Sequence, residues 1–447
     1  MIALMLRAVV VVCGVGLWVA CDRSGGPDGG APPVASAPER DGAMRSGPRA
    51  PGPEDHQMKG PLPDPHVPQR ADAFSPALTQ LAEPGPPNLE VLSERESCAQ
   101  CHAGIVSEWQ ESMHAFSSMN NPFYVVSFDP FVADSGHTKG RFCNGCHEPA
   151  FLFKETPATI EPTDPLAYAG VGCGTCHGAV EATSDGNASY TLTTQPVPVP
   201  KPGDDASLAA HRARVGADTL RSDALCVSCH RAFLSPDTGH DVFVNGADEF
   251  GPWRRSAYAG SRATRIDAPA ESHSCTSCHM PKAKGAVSST MTGTKSHASH
   301  RFPGGHTTMA HGLGADLQME AVEAMLRSAA TLDIVALASN NPKGVLAPVV
   351  GSAGVDGPAE MKVSPKRPLA FDVVIFNKGV GHQFPGGVRD LRDTWVEVVV
   401  EDAAGQVVAQ SGVDHAQSGS EKGVFRLRAL LLSNAGDAVF EHEVAQF

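Results

Sequence analysis

The sequence predicts a multidomain chain of two unlike parts: a mostly α-helical and irregular region, then an all-β region of immunoglobulin-like sandwich type. Three observations predict it. One short pattern, Cys-x-x-Cys-His, recurs five times between Cys98 and His279. From Thr331 onward the chain becomes short β-rich runs punctuated by Gly and Asn-Pro. Aromatic residues are only 6% of the 447 residues, against 45 glycines and 36 prolines, which makes a thin conventional core for so long a chain.

The five copies are Cys98-Ala-Gln-Cys101-His102, Cys143-Asn-Gly-Cys146-His147, Cys173-Gly-Thr-Cys176-His177, Cys226-Val-Ser-Cys229-His230 and Cys275-Thr-Ser-Cys278-His279. Two cysteines three apart lie on one face of a helical turn. There their sulfurs can form thioethers with the two vinyl groups of one porphyrin, and the next histidine can turn its imidazole onto the iron. Zinc also takes Cys and His in short spacings, but a zinc site does not require His directly after the second Cys every time. Thioredoxin-like chemistry needs one such motif in a βαβ setting. The spacing therefore predicts five covalently attached c-type haems, with His102, His147, His177, His230 and His279 as proximal ligands. Haem also supplies the missing apolar bulk, so folding should depend on its attachment.

Ten of the 12 cysteines lie in these motifs, leaving only Cys13 and Cys21. A formal net charge of −14 excludes specific nucleic-acid binding, which needs a basic face. Residues 1–21 read as an export segment, with Arg7 ahead of the apolar run Ala8 to Ala20. Leu17-Trp18-Val19-Ala20-Cys21 resembles a bacterial lipobox, which implies lipidation at Cys21; ordinary cleavage and an uncleaved anchor are the alternatives. Each version exports the chain, to the periplasm or to the outer membrane or cell surface of a bacterium. Residues 22–87 are Pro, Gly, Ala and charge without periodicity, a disordered tether in which His56 and His66 read as solvated.

The haem region is expected over residues 88–312. Ile105, Trp109, Met113 and Phe116 recur at helical spacing, which predicts an amphipathic helix over 103–118 with His114 beside its stripe. The next stretch, with Pro122, Pro130 and Gly136, reads as loop. Nine histidines in or just after this region remain for the distal sides of the irons. In rank order the expected ligands are His114, His300, His240, His211 and His137. His297 and His306 are substitutes for His300, while His273 lies close to Cys275, and Met280 reads as packing. Two internal echoes stand out. Trp253-Arg-Arg-Ser256-Ala-Tyr258-Ala259 repeats Trp109-Gln-Glu-Ser112-Met-His114-Ala115, with Tyr258 in the place of His114. His382-Gln-Phe384-Pro385-Gly386-Gly387 repeats the H-x-F-P-G-G of His300 to Gly305, so His382 is a candidate ligand reaching in from the later part. The first echo raises an iron left open beside Tyr258. The plainer readings are two amphipathic helices and two rigid turns.

Residues 313–330 form a linker helix, capped by Asp316 and burying Leu317, Val322, Met325, Leu326 and Ala329. In the β-domain of residues 331–447, strands are expected at Thr331–Ala338, Leu369–Phe376, Thr394–Glu401, Gln406–Gln410, Phe425–Leu432 and Ala438–Val444. The last of these lies close to Phe447, which leaves the domain either incomplete or followed by further protein.

With these residues in view, Cys98-x-x-Cys101-His102, Glu108-Trp109-x-x-Ser112-x-His114-Ala115 and Gly170-Val171-Gly172-Cys173-x-x-Cys176-His177 resemble the multihaem c-type cytochromes. Within that group the chain is similar to the tetrahaem cytochromes of the hydroxylamine-oxidation pathway, over roughly residues 90–310. Cys275-x-x-Cys278-His279-Met280-Pro281 and His300-Arg301-Phe302-Pro303-Gly304-Gly305-His306 extend the likeness to larger members. The resemblance implies close-packed haem pairs, mostly bis-histidine irons and electron transfer. Redox partners would be other cytochromes or a quinol-linked donor, with the membrane reached through the lipid anchor. An oxidoreductase with one open iron, acting on a small nitrogen or sulfur oxyanion, is the alternative. Against it, no motif carries a proximal Lys of the kind found in pentahaem ammonia-forming nitrite reductases, and the chain has only four tyrosines to serve as a haem crosslink.

Overall fold

The computed structural model describes residues 5–13, 74–154, 164–238, 240, 243–259, 271–285, 287–289, 295–339, 347–348, 369–402, 404–415, 421–433 and 435–439. Cys21, His56 and His66 lie outside them. So does the stretch 440–444 of the last expected strand.

Helices dominate the first part, and each is short. They are α1 (Leu89–Ser93), α2 (Glu96–Gln110), α3 (Pro122–Ser135), α4 (His137–His147), α5 (Pro149–Leu152), α6 (Cys173–Gly178), α7 (Asp205–Val215), α8 (Asp223–His230), α9 (Phe250–Arg255), α10 (Cys275–His279), α11 (Thr307–Gly312) and α12 (Asp316–Ala329). Three small sheets lie among them. They are β2 (Gln80–Leu81) with β4 (Tyr190–Leu192) and β3 (Ala179–Ala182), then β5 (Arg231–Leu234) with β6 (Val244–Asp248), then β7 (Lys282–Gly285) with β8 (Lys295–Ala298).

Each Cys-x-x-Cys-His sits on a helix. In α4, α8 and α10 the helix ends on the motif histidine itself, and α6 ends one residue later. α2 continues past its motif, but His102 breaks the helical path with φ −116° and ψ 37°. The turn carries the two sulfurs, and the backbone then departs from the helix where the imidazole must swing out.

The predicted helix over 103–118 is shorter than its apolar stripe suggests. α2 stops at Gln110, and Ser112 Oγ, donating to the Trp109 carbonyl at 2.7 Å, ties the chain into turns that deliver His114. The expected loop after it is instead α3. Pro122 fits the first turn, where no N–H is needed, and Asn121 caps it by accepting from Phe123 N at 3.0 Å. Tyr124, Phe128, Phe131 and Val132 then recur at helical spacing and are buried together, which carries the helix through Pro130.

The packed body begins earlier than the composition suggested. Residues 74–87 were read as the end of the tether, yet Phe74 stacks edge-on against Phe153, and Ala77 and Thr79 are fully buried. They join Leu92, Leu152, Phe153, Tyr190 and Leu192 in a core against which Cys146 and Cys229 pack. Helix α12 matches its expected span, with a rotated buried face. Leu317 is 60% exposed, while Gln318 is buried and donates to the Arg301 carbonyl at 2.9 Å.

Later residues form two antiparallel three-stranded sheets. One has the order β10 (Ala347–Pro348), β9 (Ala330–Ser339), β11 (Leu369–Asn377). The other has β12 (Asp393–Glu401) at its centre, between β13 (Val407–Ser411) and β1 (Met5–Cys13). The apolar segment near the N-terminus thus pairs with β12, from Met5 opposite Glu401 to Cys13 opposite Asp393. Four of the six expected strands are present at nearly their expected bounds. Phe425–Leu432 makes only isolated bridges, Arg426 to Trp395 and Leu432 to Ala438. Among the described residues, no helix is long and apolar enough to cross a membrane.

Candidate haem-binding centre

The five motif helices gather their histidines and cysteines into one region. Thiols of different motifs lie within hydrogen-bonding reach of one another: Cys98 with Cys173, Cys146 with Cys229, and Cys226 with Cys275. Groups held by these sulfurs would therefore be neighbours, the first motif beside the third, the second beside the fourth, and the fourth beside the fifth.

The motif histidines His102, His177, His230 and His279 each face a second imidazole. His102 faces His211 of α7, with ring centroids 6.1 Å apart and planes 5° from parallel. His177 faces His300 at 6.5 Å and 19°. His279 faces His382 at 6.2 Å and 15°. His230 faces His114 at 6.2 Å and 69°, an angle that rotation about a shared axis permits. Two imidazoles bound on opposite sides of one metal, each at roughly 2 Å, bring their centroids to about 6 Å. The four gaps match that separation.

The hydrogen bonds fix the tautomers in the same sense. Nδ1 of His102 lies 2.6 Å from the Val287 carbonyl, that of His211 2.8 Å from Pro198 O, that of His279 2.8 Å from Pro303 O, and that of His300 2.9 Å from Ala298 O. A carbonyl only accepts, so Nδ1 carries the proton and Nε2 keeps a free lone pair. His114 and His177 have a buried Nδ1 with no protein partner. Burial, reinforced by neighbouring histidines, pushes His114 down to about 3 and His177 down to about 4. Both are neutral near pH 7, the form that binds metal.

His147, of the second motif, is stacked face to face with Tyr124 at 4.1 Å and 8°, and its Nδ1 lies 2.6 Å from Ser117 O. Tyr124 donates its hydroxyl to Glu148 Oε2 at 2.9 Å, and Asn144 Nδ2 donates to the same oxygen at 3.0 Å. Glu148 is fully buried, and burial pushes its carboxyl up to about 8. This cluster was not singled out in the sequence, because a Tyr some twenty residues before a motif carries no spacing signal.

The expected distal residues divide. His114, His211 and His300 each face a motif histidine, as does His382 from beyond the haem region. His137 stands partly exposed at the start of α4, and His240 follows a 3-10 turn with its N–H on Ser235 O. Among the described residues, the His137 ring is not placed across from a motif imidazole. His297 is held instead by Glu108, at 3.2 Å, and His306 lies under Arg392, at 3.3 Å. Tyr258 donates its hydroxyl to Lys378 O at 2.6 Å, and its ring leans on His273.

Comparison with known proteins agrees with this geometry. Residues 97–178 match the family of cytochrome c554 and c-prime, a span that holds the first three motifs and His114. This part of the chain is similar to c-type cytochromes. No curated protein and no solved structure matches it. Haem c, attached covalently, is the cytochrome's cofactor, and supplies reversible one-electron exchange at iron. The protein's part would be to hold each group by two motif sulfurs, to aim neutral imidazoles with fixed tautomers, and to keep water from buried positions such as His114.

Proposed function

We propose that this cytochrome is an exported carrier or conduit, with five haems that pass electrons between a membrane or periplasmic donor and an extracytoplasmic acceptor. The observation that carries the reading is the set of four facing imidazole pairs at 6.1–6.5 Å. An iron held by two histidines offers no place for a substrate and changes little in shape on reduction, which suits transfer over chemistry. The neighbouring thiols of different motifs support close spacing. Anchoring through lipidated Cys21, partners of cytochrome or quinol-linked type, and an immunoglobulin-like arrangement of the later strands complete the proposal.

The second reading is an oxidoreductase with one open iron, acting on a small nitrogen or sulfur oxyanion. Carbon monoxide tests both readings, since it needs an open or weakly held iron. In the dithionite-reduced protein we expect a Soret change of at most one haem in five. A change in two or more would sink the paired-histidine reading. A change in one haem, lost on replacing His147 rather than His279, would move the search for a substrate to that haem.

A further inference from the structure

The two sequence echoes are one structural repeat. Trp109 Nε1 donates to Val171 O at 2.9 Å, two residues before Cys173, and Trp253 Nε1 donates to His273 O at 3.1 Å, two residues before Cys275. Val171 N donates to His114 O at 2.9 Å, and His273 N to Tyr258 O at 2.8 Å. Ser112 and Ser256 each cap the tryptophan carbonyl at 2.7 Å. Each braced motif then presents its histidine to the histidine of an H-x-F-P-G-G turn: His177 to His300, and His279 to His382. The first unit closes within the haem region. The second closes only with a turn that lies between β11 and β12.

The closing turn of the second unit is held by a carboxylate. Glu249 Oε1 accepts the Gly387 N–H at 2.6 Å, and Oε2 lies 2.6 Å from His382 Nδ1. The Nδ1 proton itself points to Gln383 O at 2.9 Å, so Oε2 lies off the N–H axis, buried and with no aligned donor. Gly386 leaves room for the pair, since a Cβ there would stand 3.1 Å from His382 Cε1 and 3.3 Å from Oε2. The other Nδ1 contacts among the facing histidines are to carbonyl oxygens alone.

We propose that His382 is the second axial ligand of the Cys275–Cys278–His279 haem, and that Glu249 is a positioning residue that lowers this haem's potential through His382. The inference rests on the paired-histidine reading of the site. A carboxylate against the outer nitrogen of a ligand imidazole raises its basicity, and its negative charge favours the ferric over the ferrous iron. Weak screening in a buried site strengthens the effect. The reaction is the uptake of one electron by ferric haem, supplied by the redox partner, and it places added negative charge beside Glu249.

The test uses the full-length holoprotein, with spin state read by electron paramagnetic resonance and potentials by spectroelectrochemical titration. Glu249→Gln should keep five haems per chain and the wild-type spin states, while one midpoint moves upward and the others hold. Glu249→Asp should bring it back toward wild type. His382→Ala should convert one haem to a high-spin, carbon monoxide-binding form. In that background Glu249→Gln should no longer move a midpoint. If His382→Ala proves unstable, His382→Met keeps a ligand and should give a methionine-to-iron charge-transfer band. Unmoved midpoints in Glu249→Gln would overturn the tuning role. A fully low-spin His382→Ala, or no such band in His382→Met, would overturn the ligand assignment. His300→Ala separates this failure from that of the wider reading, because it should open a different haem whatever His382 does.

Discussion

Tyr124 lies flat on His147, ring on ring at 4.1 Å, with its hydroxyl anchored to the buried Glu148. The stack fixes the imidazole plane, and the hydrogen bond fixes the stack. Tyr124→Phe keeps the ring and removes the donor, leaving a buried oxygen with only Asn144. It should cost about 1–3 kcal/mol, read as a lower denaturation midpoint with an unchanged visible spectrum. Glu148→Gln, which preserves shape and still accepts through its amide oxygen, should cost less.

Haem stoichiometry is the plainest check on the motifs. The pyridine haemochrome assay together with intact mass should give five haems per chain, all retained after acid–acetone extraction. Replacing both cysteines of the fifth motif, Cys275 and Cys278, should lower the count to four. A count unchanged by that double replacement would remove this motif from the set.

The distal assignments separate cleanly by spin state. His211→Ala, His300→Ala and His114→Ala should each turn one haem high-spin, since each removes an imidazole facing a motif histidine. His137→Ala should leave the spin states untouched. A high-spin signal from it would mean that the partner of His147 had been found.

Backbone closeness around the third motif gives a prediction about stability. A Cβ on Gly174 would stand 2.0 Å from Val91 O, and one on Gly170 would meet His114 O at 2.4 Å, from a φ of +64°. Both contacts are with backbone, so neither can yield by a rotamer change. Gly174→Ala and Gly170→Ala should each destabilise by at least about 1–3 kcal/mol, seen as reduced holoprotein yield and earlier thermal unfolding.

The haem-binding residues were readable in the sequence because Cys-x-x-Cys-His is a local constraint: the chemistry needs those atoms within one helical turn. His211, His300 and His114 were nameable as candidates, but their pairing was not. Which imidazole meets which depends on how α7 and the turn after β8 fold back, a contact between distant parts of the chain. His382 was visible only through its repeated turn. Glu249 was not visible at all, because a glutamate four residues before a tryptophan has no pattern of its own. The strands after residue 330 followed their β-branched runs, whereas α3 was misjudged because two prolines outweighed a helical spacing of Tyr124, Phe128 and Phe131. Leu317 came out exposed for a similar reason: at the first turn of a helix, a periodic pattern does not say which face meets the body.

The three thiol pairs that join different motifs bear on maturation. In the folded chain Cys98 lies beside Cys173, Cys146 beside Cys229, and Cys226 beside Cys275. In oxidising surroundings these are ready-made partners for disulfides. Each such bridge would strip one sulfur from two different attachment sites, and all three together would compromise every motif in the chain. A chain that closed up ahead of attachment in such surroundings would have to be kept reduced for all five motifs to keep both sulfurs.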